Sequence, residues 1–171
     1  MTDRPGCLYI MAGLPGVGKS ALSKRLSRGS GAIHLRIDTI EQALRDLTGI
    51  DVEGEGYRLA YRIAADNLTL GQSVVADSCN PITLTRDEWQ AVAENLGARY
   101  RHIEVVCSDK GEHRRRVEHR ESEVAGLDLP NWQDVLNREY HAWDRDRLVI
   151  DTAGQTVDDS AANLLRLCNL D

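Results

Sequence analysis

Residues 13 to 20 read Gly13-Leu14-Pro15-Gly16-Val17-Gly18-Lys19-Ser20, and few backbones other than a phosphate-holding loop need that spacing of glycines, lysine and hydroxyl. Gly13 and Gly18 permit backbone turns closed to residues with a Cβ, so that successive N–H groups can face one anion. Lys19 supplies a point charge for the β- and γ-phosphates, and Ser20 a hydroxyl for Mg²⁺. A helix opening at Lys19 adds its positive end. The pattern carries meaning only between a strand and a helix. Cys7 to Ala12 is a short apolar run suited to a buried strand, and Ala21, Leu22 and Leu26 mark an amphipathic helix expected to close at Gly29.

The 171 residues suit a single domain, 1–171, burying about 70% of its unfolded surface without disulfides. Cys7, Cys79, Cys107 and Cys168 show neither zinc spacing nor a disulfide framework, and three of them lie in apolar surroundings that fit core thiols in a reducing cytosol. A net charge of -6 argues against a broad basic face for nucleic acid. Neither a signal peptide nor a membrane span is apparent, so a cytoplasmic location is expected.

Strand and helix signals alternate to the end of the chain. A second strand, 32–37, ends on Asp38, and the helix after it has Asp38 or Thr39 to cap it and Gly49 to stop it. Residues 49–56 form an acidic, Gly-rich loop. Tyr57, Ala60, Tyr61, Ala64 and Leu68 then line one helix face, where a tyrosine stripe reads as core packing. A third strand, 73–77, ends on Asp77, and Thr85 with Glu88 resembles a capping box for the helix bearing Trp89. Strands follow at 100–107 and 147–151, and Thr156 with Asp159 caps a last helix. This alternation predicts an α/β fold, a mainly parallel sheet covered on both faces, with ligands at the carboxyl ends of its strands.

Three groups of residues stand where chemistry would occur. Asp38 is the candidate base for an acceptor hydroxyl, since phosphoryl transfer needs positioning, charge neutralisation and a carboxylate. Asp77 is the candidate Mg²⁺ ligand beside Ser20, with Asp151 as its rival. The dense basic run 110–120 places Arg116 and Arg120 four apart on one helical face, suited to a lid (about 110–131) that closes on the transferring phosphate. Arg114 and Arg115 read as solvated. A return helix is expected from Asn131 to about Asp144, with Arg138 on it.

GLPGVGKS, HLRID, VVADSCNP, RVEHR and PNWQDV together resemble the small P-loop kinases, ATP-dependent phosphotransferases of the AAA-domain type. Relatives in that group act as polynucleotide 5'-hydroxyl kinase, zeta toxin, chloramphenicol phosphotransferase, gluconate kinase and adenylylsulfate kinase. The resemblance implies a three-layer fold with a five-stranded parallel sheet in the order 2-3-1-4-5, and MgATP as donor. It supports Asp38 as base and implies that the turn 152–155, including Gly154, faces the adenine. Ala21 departs from relatives with a second hydroxyl there, which leaves only its backbone N–H for the α-phosphate. The expected activity is transfer of the γ-phosphate to a hydroxyl of a small molecule by a monomer or homodimer. The alternatives are a polynucleotide 5'-hydroxyl kinase and a nucleotide-gated module or slow ATPase.

Overall fold

The computed structural model describes residues 6–170. Its strands are β1 (Cys7–Ala12), β2 (Ile33–Arg36), β3 (Val74–Asp77), β4 (Arg99–Val106) and β5 (Leu148–Asp151). They form one parallel sheet in the order β2-β3-β1-β4-β5. Its helices are α1 (Lys19–Ser30), α2 (Ile37–Thr48), α3 (Glu55–Thr69), α4 (Thr83–Glu94), α5 (Lys110–His119), α6 (Trp132–Asn137) and α7 (Val157–Leu167).

Alternation along β1 explains why both faces of the sheet are covered. Tyr9 and Met11 enter a core shared with Leu22 and Leu26 of α1 and Leu164 of α7. Leu8 and Ile10 enter the opposite core, with Ala60 and Ala64 of α3 and Trp89 of α4. A central parallel strand is buried on both faces, so its sequence is apolar throughout instead of alternating.

Several boundaries differ from the sequence expectation, each for a contact the sequence could not display. Helix α1 passes Gly29 and ends at Gly31, whose φ is +69°. Gly29 instead lets α1 approach α7, since a Cβ there would lie 2.7 Å from Leu165 Cδ2. No side chain caps α2, whose cap position is Arg36, so Asp38 sits in the first turn with its carboxylate uncommitted. The Thr85 and Glu88 box does not form: Thr85 Oγ1 donates to the Ile82 carbonyl, and Glu88 Oε2 accepts from the Tyr61 hydroxyl at 2.9 Å. Thr156 does cap α7, accepting from the Asp159 N–H.

The expected return helix stops at Asn137. Beyond it the chain is held open by Arg86, which is fully buried. Arg86 donates to the carbonyls of Asn80, Pro81, His141 and Ala142, and its guanidinium lies 3.9 Å from the centroid of the Trp143 ring. The open path after Asn137 lets the carbonyls of 141 and 142 converge with those of 80 and 81 on one buried cation, which would otherwise be unsatisfied. Among the described residues no helix is long and apolar enough to cross a membrane.

Candidate active site

Because the sheet is parallel, all five strands deliver their carboxyl ends to one edge. The loop after β1, the start of α2, the turn after β3 and the segment from α5 to α6 wall a cleft of about 560 Å³ there.

The loop has the backbone its glycines allow. Gly13, Gly16 and Gly18 have φ of +143°, +86° and +98°. A Cβ on Gly13 would meet the Val105 carbonyl at 2.4 Å, so this position is closed to other residues on space as well. Three long-range hydrogen bonds fasten the loop: Gly13 N to Cys79 O at 3.0 Å, Thr152 Oγ1 to Val17 O at 2.8 Å and His113 Nε2 to Pro15 O at 2.8 Å. The N–H groups from Gly16 through Ala21 donate to no backbone carbonyl among the described residues. A row of unspent donors at a helix N-terminus is a site for phosphate oxygens.

Lys19 and Asp77 meet behind the loop, Nζ to Oδ1 at 3.5 Å. The Ser20 hydroxyl donates to the same Oδ1 at 3.2 Å, and His34 Nε2 lies 3.0 Å from Oδ2. Burial works against the charge on Asp77, but Lys19, His34 and Ser20 together hold its carboxyl down to about 2. Burial would likewise lower the Lys19 pKa, yet Cys79, Asp77 and Asp38 turn the net shift upward. Asp77 is therefore a carboxylate and Lys19 an ammonium at neutral pH. Ser20 and Asp77 are hard oxygen donors side by side, a fit for Mg²⁺. No group of three or more His, Cys, Asp or Glu forms a metal cluster among the described residues, so such an ion would complete its shell with water and phosphate oxygens. Asp151 stands elsewhere, its Oδ1 accepting from the N–H groups of Ser108 and Ala153.

Asp38 lines the cleft. Arg116 and Arg120 line it too, but not from one helical face: Arg116 is in the last turn of α5, and Arg120 is the cap residue beyond, with extended backbone. Arg116 donates to Thr152 Oγ1 at 2.8 Å and Thr152 O at 2.9 Å, and also pairs with Glu112. Arg120 reaches the Pro130 carbonyl at 3.4 Å, and its buried Nε has no partner. Burial lowers its pKa against the pull of Cys79 and Asp38, and Arg138 lowers it further. Arg138 lies on the cleft wall, while Arg114 and Arg115 are exposed.

A second cavity of about 210 Å³ opens beside Gly18, lined by Arg116, Thr152, Gln155 and Ser160 among others. Gly154 is not in that lining; its N–H donates to Glu112 Oε2 at 2.9 Å. Sequence reasoning missed Glu112, His113, His34, Glu41 and Cys79; Tyr57, read as core, packs against the core of Ala60 and Trp89 and lines the cleft as well. Only Glu112 carried a local signal, its i,i+4 spacing to Arg116.

A family profile described as AAA domain matches residues 8–138. No curated protein matches the sequence. Among solved structures, the Mycobacterium tuberculosis APS kinase in complex with AMPPNP and APS is 19% identical with a TM-score of 0.65, covering 98% of this chain and 99% of that one. A sugar kinase from Janibacter sp. is 15% identical with a TM-score of 0.69, covering 97% and 96%. A gluconokinase from Sinorhizobium meliloti is 17% identical with a TM-score of 0.64, covering 98% and 96%. The fold is therefore that of the small P-loop kinases.

Proposed function

We propose, since this chain belongs to the AAA-domain family, that it is a kinase transferring the γ-phosphate of MgATP to a hydroxyl of a small molecule. The observation that carries this reading is one cleft holding both halves of the chemistry. On one side is a row of unspent loop N–H groups with Lys19, and on the other the uncommitted carboxylate of Asp38. The APS kinase neighbour is titled as a complex with AMPPNP, which supports an adenine nucleotide as donor.

The loop amides from Gly16 to Ala21 and Lys19 hold the triphosphate and keep its terminal group facing Asp38. Asp38 accepts the acceptor's hydroxyl proton as the new P–O bond forms and the bond to the β-γ bridging oxygen breaks. Arg116 and Arg120, on the lid segment of about 110–131, offset the charge that spreads onto the transferring phosphate. Ser20 and Asp77 would hold Mg²⁺, which would supply charge neutralisation to the phosphates. The second cavity takes the base against Thr152 and Gln155.

The test is transfer from γ-labelled ATP to a panel of sugars, nucleosides, antibiotics and oligonucleotides, with wild-type and Asp38→Asn protein. Transfer that Asp38→Asn abolishes while MgATP still binds supports the reading. Full transfer by Asp38→Asn refutes the assigned base.

A further inference from the structure

Two basic residues line the cleft wall at the end of β2 and on α2, Arg36 and Arg45, and both already face a carboxylate. Arg36 Nη1 binds Glu123 Oε2 at 2.8 Å, and Lys24 holds the same oxygen at 2.6 Å. Arg45 Nη2 lies 3.6 Å from Glu41 Oε2. The remaining lining arginines, Arg116, Arg120 and Arg138, stand on α5 and at the ends of α5 and α6 and not on this wall, and the kinase reading gives Arg116 and Arg120 to the phosphates. Lys19 is opposed by Asp77 and Arg116 by Glu112, and Arg138 lies close enough to Arg120 to lower its pKa.

Against these stand the lining carboxylates Asp38, Glu41, Glu121 and Asp128. Asp38 and Glu41 are three apart in α2 and share a helical face, so both are presented to the cleft. Burial and the charges of Asp38 and Glu55 raise the proton affinity of Glu41, although Arg45 opposes the shift. A carboxylate or phosphate on the acceptor would find no free cation at this wall and a negative field beside the base. Hydroxyls would find acceptors: Asp38 for the reacting one, and for a neighbour Glu41 Oε1, the oxygen that does not face Arg45. Ile37, Tyr57, Ile82 and Leu129 add apolar surface for a ring's C–H face.

We propose that the acceptor is a hydroxyl-rich ring compound of the sugar or nucleoside kind that carries no negative charge of its own. This rests on the kinase reading. The test uses acceptor pairs that differ in one anionic group, an aldose against its aldonate and a nucleoside against its 5'-monophosphate, with γ-labelled ATP as donor. The uncharged member is accepted with kcat/KM at least about tenfold above its anionic partner, the scale of a like-charge juxtaposition. Glu41→Gln narrows that ratio, whereas Glu41→Asp, which keeps the charge, preserves it. Equal or better transfer to the anionic member overturns the proposal while leaving the kinase reading intact, as does a ratio that Glu41→Gln leaves unchanged. Absence of transfer to every member by protein that binds MgATP overturns the kinase reading and the proposal with it.

Discussion

Asp77 Oδ1 lies 3.5 Å from Lys19 Nζ, with both side chains almost wholly withdrawn from water. Neither charge is tolerable there alone, because a buried ion that loses its partner keeps its desolvation cost. Lys19→Ala therefore lowers stability by about 3 kcal/mol, read from urea unfolding, besides removing nucleotide binding. The double variant Lys19→Met with Asp77→Asn recovers most of that loss, and a cycle of the four proteins measures the coupling.

The same pair fixes an acid limb. Asp77 is held down to about 2 from the ordinary 3.8 of an aspartate, so its stabilisation is complete above pH 3.8 and disappears as pH falls toward 2. About 2 kcal/mol is lost across that window. Asp77→Asn is less stable at neutral pH and flatter in this range.

His102 acts at higher pH. It is 4% exposed, with Nε2 on Gln90 at 3.1 Å and no partner for Nδ1. Burial first, then Arg145 and Arg86, lowers its pKa from 6.5 to about 4. The unfolded chain binds the extra proton between those values, so stability falls as pH drops from 6.5 to 4, by about 3 kcal/mol. His102→Gln flattens the profile over this interval.

Arg86 ties the segment after α6 to the turn after β3. That turn is wired to the loop strand, Asn80 Nδ2 donating to Met11 O at 2.6 Å. Arg86→Ala strands several buried carbonyls and empties the site against Trp143, costing about 3 kcal/mol in chemical denaturation. Arg86→Lys recovers only part, because an ammonium cannot reach the four carbonyls that the guanidinium spans.

Much of this was legible because it is local. The strand ends, the loop and the Thr156 cap depend on neighbours within a few residues, so their patterns survive in sequence. Asp77 was visible as a carboxylate ending an apolar run and Asp38 as one ending an alternating run, and the parallel topology brings both to one edge. What failed was set at long range. His113 reaches Pro15 across 98 positions, which no periodicity announces. Glu88 looked free to cap α4 until Tyr61 engaged it. The return arm had helical spacing, but Arg86 claimed its carbonyls. Gly29 resembled a stop because packing against Leu165 and chain termination favour the same residue.

MgATP calorimetry tests the central claim, that the amides from Gly16 to Ala21 grip a triphosphate above Lys19. Wild-type protein gives saturable heat, Lys19→Ala loses it, and Asp38→Asn retains it. No heat from ATP or GTP at millimolar concentration, with Mg²⁺ present and the protein folded, would contradict it.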